Sequence, residues 1–238
     1  METASRRIKL WDLPVRLVHW SFVVLIGLLW WTAENGKLDL HFTLGLIMLG
    51  LVVFRLIWGL IGSENARFAN FLKGPGTVIG YFKSLRGEHA PVAGHNPAGG
   101  WSAFVLLLLL AAQAGTGLFA QSEDSDTGPL NYLIGYDRAE SITGIHHLLF
   151  TLLQILIVLH IAAIVFYTVV KKDRLVPPMI TGSRELPESV AAPKLAPLWR
   201  ALFLAAFAAA FAWWIGKGAP TTWQQLTAPP QPAVEDYM

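Results

Sequence analysis

The sequence contains no cysteine, and only 14% of its 238 residues carry a charge. The lack of cysteine excludes structural disulfides, iron–sulfur clusters held by thiolates and covalent haem attachment through a Cys-x-x-Cys-His motif. The shortage of charge, beside a hydrophobic fraction of 54%, indicates an integral membrane protein in contact with lipid. The net charge of +2 gives no indication of a nucleic-acid partner.

Five apolar segments are long enough to cross a hydrocarbon core about 30 Å thick. We predict an all-α integral membrane fold, in which a four-helix bundle is followed by a fifth C-terminal transmembrane helix. The first segment lacks a small-residue cleavage site, so we expect it to remain as a helix. The predicted helices span approximately 13–33, 40–61, 101–120, 142–170 and 198–216, with an N-terminal segment 1–12, a bundle domain 13–185, a linker 186–197 and a disordered tail 217–238.

Lysine and arginine are distributed unevenly among the loops. The N-terminal segment and the loops after the second and fourth helices are rich in them, whereas the first and third loops hold only Lys37 and Arg138. Short loops with many positive charges stay in the cytoplasm. We therefore expect the N-terminus in the cytoplasm and, after five spans, the C-terminus outside.

The fourth predicted helix carries two histidines on one face. His146 and His160 are fourteen residues apart, which leaves them roughly 40° apart around a helix and roughly 21 Å apart along it. His147 points about 140° away from His160. An ionisable side chain within a membrane-length apolar segment is costly and indicates a functional site. The alternative is a hydrogen bond between helices.

Each of these two histidines has a candidate partner at its own depth. The first and second predicted helices run antiparallel, so His19 should lie level with His160 near the cytoplasmic face and His41 level with His146 near the outer face. Pairs of imidazoles are typical axial ligands of haem iron. Without cysteine any haem is non-covalent and b-type, so the sequence predicts two haems b.

Three further residues are candidates for contact with the haems. Arg16 and Arg55 lie near the cytoplasmic ends of their helices, where they could pair with haem propionates or extend to the lipid headgroups. Gly45, one turn after His41, would leave room beside a porphyrin or allow close helix packing. His89 and His95 lie in a polar loop, so we expect both to be solvated.

Two connecting segments have patterns of their own. Residues 78–86 place apolar side chains at helical spacing, which predicts an amphipathic helix on the membrane surface or a loop with incidental periodicity. The loop 122–141 is acidic and includes Glu123, Asp124 and Asp126. These charges predict weak electrostatic steering of a basic redox partner.

In order along the chain, a set of motifs resembles the bacterial cytochrome b561 family, which includes the di-haem b-type subunits of nickel-iron hydrogenases. The resemblance covers roughly residues 8–185, and the fifth helix departs from the family's four-helix pattern. The motifs are Arg16-Leu17-Val18-His19-Trp20, His41-x-x-x-Gly45, Arg55-Leu56-Ile57-Trp58, Gly94-His95-Asn96-Pro97-Ala98-Gly99-Gly100, Thr116-Gly117-Leu118, His146 with His160, and Met179-Ile180-Thr181-Gly182.

The resemblance implies a multi-pass protein of the bacterial inner (cytoplasmic) membrane. It implies two bis-histidine haems b, held by His19, His41, His146 and His160, that pass electrons between a quinone or quinol and a redox partner. A c-type cytochrome or a hydrogenase-like protein would be that partner, and the oligomeric state stays open, with a homodimer as one alternative. Competing hypotheses are a stand-alone superoxide:quinone oxidoreductase, a proton-coupled transporter that uses the histidines as a relay, and a structural anchor.

Overall fold

Five long helices dominate the structure, a computed structural model that describes residues 4–84, 93–122 and 126–220. Each of the five is long and apolar enough to cross a membrane, which confirms the predicted all-α membrane fold. Most of the predicted disordered tail lies outside the described residues. The long helices are α1 (Leu13–Glu34), α2 (Leu38–Ile61), α5 (Pro97–Gly117), α6 (Tyr136–Val169) and α8 (Leu198–Gly216), and the described connections also form α3 (Phe68–Phe71), α4 (Pro75–Ser84) and α7 (Val176–Thr181).

Helix α5 begins four residues before its predicted start because Asn96 caps it. The Asn96 side chain accepts a hydrogen bond of 2.7 Å from the Gly99 N–H, and Pro97 occupies the first turn. Gly99 and Gly100 are typical of loops, which explains the late prediction. Gly100 is required here by packing, because a Cβ atom at this position would lie 2.8 Å from the Phe71 carbonyl oxygen. The helix also ends at Gly117, three residues before the predicted end.

Helix α6 is longer than predicted at its N-terminal end. It begins at Tyr136 and not at residue 142, and its 34 residues span about 51 Å, well beyond a hydrocarbon core of about 30 Å. The apolar pattern marks only the part that lies in lipid, whereas the helix continues through polar residues beyond it. Asp137 stabilises this end because a negative charge is favourable at a helix N-terminus. Helix α2 likewise begins at Leu38, two residues early.

Helix α8 packs on α2 at positions with small side chains. A Cβ atom on Gly50 would lie 3.4 Å from both the Ala208 carbonyl oxygen and the Ala212 Cβ. Close backbone approach of this kind is the usual basis of helix association in lipid. Beside it, the buried Trp58 donates a hydrogen bond of 3.0 Å to Asp12, whose carboxylate also accepts from the Val15 N–H at the start of α1. The fifth helix therefore belongs to the bundle through α2.

An apolar layer joins α1, α2, α5 and α6 at mid-height. Its buried members are Leu25, Met48, Val52, Leu110 and Leu153. Leu153 lies seven residues from both His146 and His160, which is two turns of α6 in either direction. The layer therefore separates two ends of the bundle, which we call the His19 end and the His41 end.

A two-stranded antiparallel sheet covers the His19 end. Strand β1 (Ser5–Lys9) pairs with strand β2 (Ser183–Pro187), and their inward side chains Ile8 and Leu186 are buried. The Gly182 carbonyl accepts the Leu10 N–H at 2.7 Å, which ties α7 to the start of α1. The predicted N-terminal segment and the start of the predicted linker are thus joined by this sheet.

The predicted amphipathic segment is helical. Helix α4 (Pro75–Ser84) has no buried residue and packs beside α5, while the last predicted positions, 85 and 86, lie outside the described residues. The Tyr81 hydroxyl forms a hydrogen bond with the Tyr167 hydroxyl near the end of α6. The interpretation of this segment as a loop with incidental periodicity is wrong.

Candidate functional site

The four predicted histidines lie in two pairs at opposite ends of the bundle. The His41 site contains His41 of α2 and His146 of α6, whose ring centroids are 6.5 Å apart with an interplanar angle of 77°. The His19 site contains His19 of α1 and His160 of α6, which are close enough to interact electrostatically. Each side chain is half-buried. The fold therefore brings together the two pairs that helix direction and spacing predicted.

His41 is oriented by the last turns of α1. Its Nδ1 lies 3.0 Å from the Leu29 carbonyl oxygen and 3.2 Å from Thr32 Oγ1. Because a carbonyl oxygen only accepts, Nδ1 carries the proton and donates it to this bond. The lone pair of His41 therefore lies on Nε2, and an outer hydrogen bond of this kind is what orients a metal-binding histidine.

His146 is oriented by two side chains of α5. Its Nδ1 lies 3.0 Å from Thr116 Oγ1, and its Nε2 lies 3.0 Å from the Gln113 amide nitrogen. With that amide as the donor, Nε2 is the acceptor and Nδ1 is the donor to Thr116. The Gln113 side-chain oxygen Oε1 is buried and has no partner among the described residues. Gly117 lets α5 approach this ring, since a Cβ there would lie 3.1 Å from His146 Cε1.

The histidine next in sequence serves as an internal comparison. His147 is exposed on the outer surface of α6, whereas His146 is half-buried. The predicted angular separation between His147 and His160 is thus consistent with the observed helix. Gly45, one turn after His41, has no heavy atom within 4 Å of an added Cβ. Of the two sequence-based interpretations of Gly45, open space fits this observation and close helix packing does not.

The His19 site contains arginine side chains with unusual surroundings. Arg16 donates from Nη1 to the Ile180 carbonyl of α7, and its Nε is buried without a partner. Arg55 donates to the Ala66 carbonyl at 3.3 Å, and its guanidinium lies 5.5 Å from the centre of the Phe68 ring. Both arginines are thus held by the protein, and the alternative in which they only extend to lipid headgroups does not describe their contacts.

His95 lies at the same end, and the sequence-based expectation that it is solvated is wrong. Its ring is held between Trp11 and Phe71, each with a centroid distance of 4.7 Å, and its buried Nδ1 has no partner in the described part of the chain. Burial, with further contributions from Arg55 and His160, lowers the pKa of His95 to about 3. The imidazole is therefore neutral at physiological pH. His89, the other loop histidine, lies outside the described residues.

Both sites have features that suit a haem. Two imidazoles that share one iron, with metal–nitrogen bonds of about 2 Å, have ring centroids roughly 6 Å apart. The His41 site meets this requirement at 6.5 Å. At the His19 site the buried His19 Nδ1 has no protein partner among the described residues. Those residues contain no group of three or more potential ligands for a bare metal ion.

A comparison with protein families identifies the chain. The family described as prokaryotic cytochrome b561 matches residues 10–182, nearly three-quarters of the sequence. The chain belongs to the prokaryotic cytochrome b561 family. It is a multi-pass membrane cytochrome that binds b-type haem and transfers electrons. No curated protein and no solved structure matched the chain.

The matched range ends before the fifth transmembrane helix. Residues 10–182 include α1, α2, α5 and α6, and with them all four histidines of the two pairs. Helix α8 lies beyond the match and carries no histidine. The family resemblance and the two sites thus belong to the same four helices, to which α8 is an addition.

Proposed function

We propose that this member of the prokaryotic cytochrome b561 family transfers electrons across the bacterial cytoplasmic membrane through two haems b. His19 and His160 would hold one haem, and His41 and His146 would hold the other. The observation that carries the proposal is the placement of the two pairs at opposite ends of α6, roughly 21 Å apart. A quinone or quinol would exchange electrons at one end and a redox partner, such as a c-type cytochrome or a hydrogenase-like protein, at the other.

A b-type haem supplies a reversible one-electron couple when it is bound. The chain supplies ligands in a fixed tautomer and position. At the His41 site, Leu29 and Thr32 hold the His41 ring so that Nε2 faces away from α1 and is free to bind iron. Thr116 holds His146 through Nδ1, and the Gln113 amide contacts Nε2. For Nε2 of His146 to bind iron, the Gln113 amide would have to turn away.

At the His19 site the protein supplies positive charge as well as ligands. Arg16 lies three residues before His19, and Arg55 lies at the same end of α2. In a low-dielectric environment the carboxylates of a haem need cationic or donor partners. We therefore assign Arg16 and Arg55 to the haem carboxylates at this site, and Gly45 to the space beside the other haem.

The proposal is tested directly by the haem content of the purified protein. We expect two haems b per chain, with the reduced-minus-oxidised α and Soret bands of low-spin b-type haem. A colourless protein would contradict the proposal and favour the proton-coupled transporter, which needs the histidines but no haem. Consumption of quinol without any added protein would instead indicate a stand-alone oxidoreductase.

The proposed orientation places the N-terminus and the His19 end in the cytoplasm. It rests on the lysines and arginines of the N-terminal segment and of the loops after α2 and α6. A reporter enzyme that is active only outside the cytoplasm should be active when fused after Met238, because five spans starting inside end outside. Activity after a fusion at Lys172 and none after Met238 would contradict this orientation.

A further inference from the structure

The described part of the His19 end contains polar nitrogen atoms that are sealed from solvent but have no partner. They belong to Arg16, His19, Arg67 and His95. An unsatisfied buried polar group is energetically costly, so native structures rarely leave one without a role. In the proposed function His19 binds iron through its ring, which accounts for one of the four side chains. His95 has no such explanation.

The position of His95 is determined by several distant segments. Trp11 precedes α1 and Phe71 lies in α3, and the His95 ring is held between them. Gly94 has a φ of +140°, a value that L side chains rarely adopt. Asn96 then caps α5 immediately after the histidine. A flexible loop would let the imidazole reach water, whereas this arrangement holds it in one place.

Among the described residues, the surroundings of His95 offer the positive charge of Arg55 but no acceptor for Nδ1. Its electrostatic neighbours are Arg55 and His160. The buried carboxylate at this end, Asp12, already accepts from the Val15 N–H and the Trp58 indole, and Glu64 accepts from the Lys194 N–H. Within the described residues, the ion pair between Arg184 and Asp173 lies in the segment after α6 and does not involve His95. Because no described residue accepts a hydrogen bond from Nδ1, a bound group is the candidate acceptor.

We propose that the Nδ1–H of His95 donates a hydrogen bond to a carboxylate of the haem bound at the His19 site, beside the guanidinium of Arg55. This inference rests on the proposed function, which places a haem between His19 and His160. Those two imidazoles would bind the iron, so a third imidazole would serve the carboxylates, which are the anionic groups of a haem. The motif Gly94-His95-Asn96-Pro97 then combines a helix cap with a haem anchor.

Two substitutions separate this role from simple packing. His95→Phe keeps an aromatic ring between Trp11 and Phe71 and removes the donor, whereas His95→Asn keeps an N–H donor close to the position of Nδ1. His147→Phe is the matched control, because His147 is exposed on the opposite side of α6. Each variant is purified with its haems and titrated potentiometrically, so that both midpoint potentials are measured together with the haem content.

We expect His95→Phe to lower the midpoint potential of one haem, because a carboxylate without its donor puts more negative charge near the iron. A hydrogen bond to a charged group predicts roughly a tenfold shift in the redox equilibrium, about 59 mV for one electron. His95→Asn should restore part of this shift, and His147→Phe should cause none. Infrared redox difference spectra with isotopically labelled haem carboxylates should show a shifted carboxylate band in His95→Phe alone.

The outcomes distinguish this inference from the proposed function. Unchanged potentials and an unchanged carboxylate band in a His95→Phe protein with two haems would overturn the role of His95 and leave the proposed function intact. If His95→Phe fails to fold, the band and potentials of His95→Asn, compared with those of His95→Ala, decide the question. A wild-type protein without a haem at the His19 site would overturn both.

Discussion

The two ends of the bundle use different chemistry around similar pairs of histidines. At the His41 end the imidazoles contact neutral groups, namely the Leu29 carbonyl, Thr32, Gln113 and Thr116. At the His19 end the neighbours are arginines, and a sheet covers the site. In the proposed function the imidazole pairs would bind one haem at each end, and their surroundings would decide how the two haems differ.

This difference predicts unequal redox behaviour. Positive charge in a low-dielectric environment favours the more negative form of a nearby group, which for a haem is the reduced form. We therefore expect the haem at the His19 end to have the higher midpoint potential. Electrons would then move downhill from the His41 end to the His19 end when no membrane potential opposes them.

The largest predicted effect is the loss of one haem when the space beside Gly45 is filled. Gly45→Leu should fold, because no heavy atom lies within 4 Å of an added Cβ, but the side chain would occupy the volume assigned to the haem of the His41 site. We expect the loss of one haem per chain, measured by a haem assay and by absorption spectra. Gly80→Leu on α4, a position with equally open surroundings, is the control. Two retained haems would show that the space at Gly45 faces lipid.

The next effect concerns the charge of Arg55. Arg55→Gln keeps a donor for the Ala66 carbonyl but removes the positive charge, so the potential of the haem at the His19 end should fall towards that of the other haem. An effect equal to a tenfold change in the redox equilibrium corresponds to about 59 mV. Potentiometric titration measures both haems at once, and Arg200→Gln at the start of α8 is the control with an exposed arginine. An equal fall at both haems would contradict a local action of Arg55.

Helix α8 should affect stability without affecting either haem. Ala208 is buried against Gly50, so Ala208→Leu overpacks the contact and should cost about 1–3 kcal/mol of stability. Ala210→Leu, two residues along the same helix at an exposed position, should be nearly neutral. Thermal unfolding in detergent measures the difference. A change in haem content in Ala208→Leu would show that α8 supports a haem site as well as the fold.

The smallest effect is expected from the acidic loop at the His41 end. Neutralisation of Glu123, Asp124 and Asp126 should slow electron transfer with a basic redox protein at low salt and matter less at high salt, because charges are screened over about 10 Å at 0.1 M. Only Asp126 of these three lies within the described residues. Glu185→Gln with Glu188→Gln, at the opposite end, is the control. A low-salt rate unchanged by the three substitutions would exclude steering by this loop.

The existence and direction of the membrane helices could be predicted from the sequence because each has a long apolar stretch. The residues at which α5 and α6 begin could not be predicted from it. At α5 the cap formed by Asn96 outweighs the loop-like glycines that follow it. At α6 the helix continues beyond lipid into polar residues, where hydropathy carries no information about helicity. The sheet escaped prediction because its two short polar strands are far apart in the chain.

The candidate site was predictable to a similar degree. Fixed helical spacing related His146 to His160, and helix direction supplied His19 and His41 as partners. His95 could not be found in this way, because its burial depends on Trp11 and Phe71, which come from distant segments. One signal in the sequence could have indicated it: His95 directly precedes the helix cap Asn96-Pro97. This cap fixes the backbone of a loop whose composition is typical of a flexible segment.

The central claim is that each end of the bundle binds one haem through its own pair of histidines. The most direct test is the haem content of His146→Ala, His160→Ala and the double variant, with His147→Ala as the control. Each single variant should keep one haem, with different spectra for the two, the double variant should keep none, and His147→Ala should keep both. Loss of a haem in His147→Ala with two haems retained in His146→Ala would contradict the account.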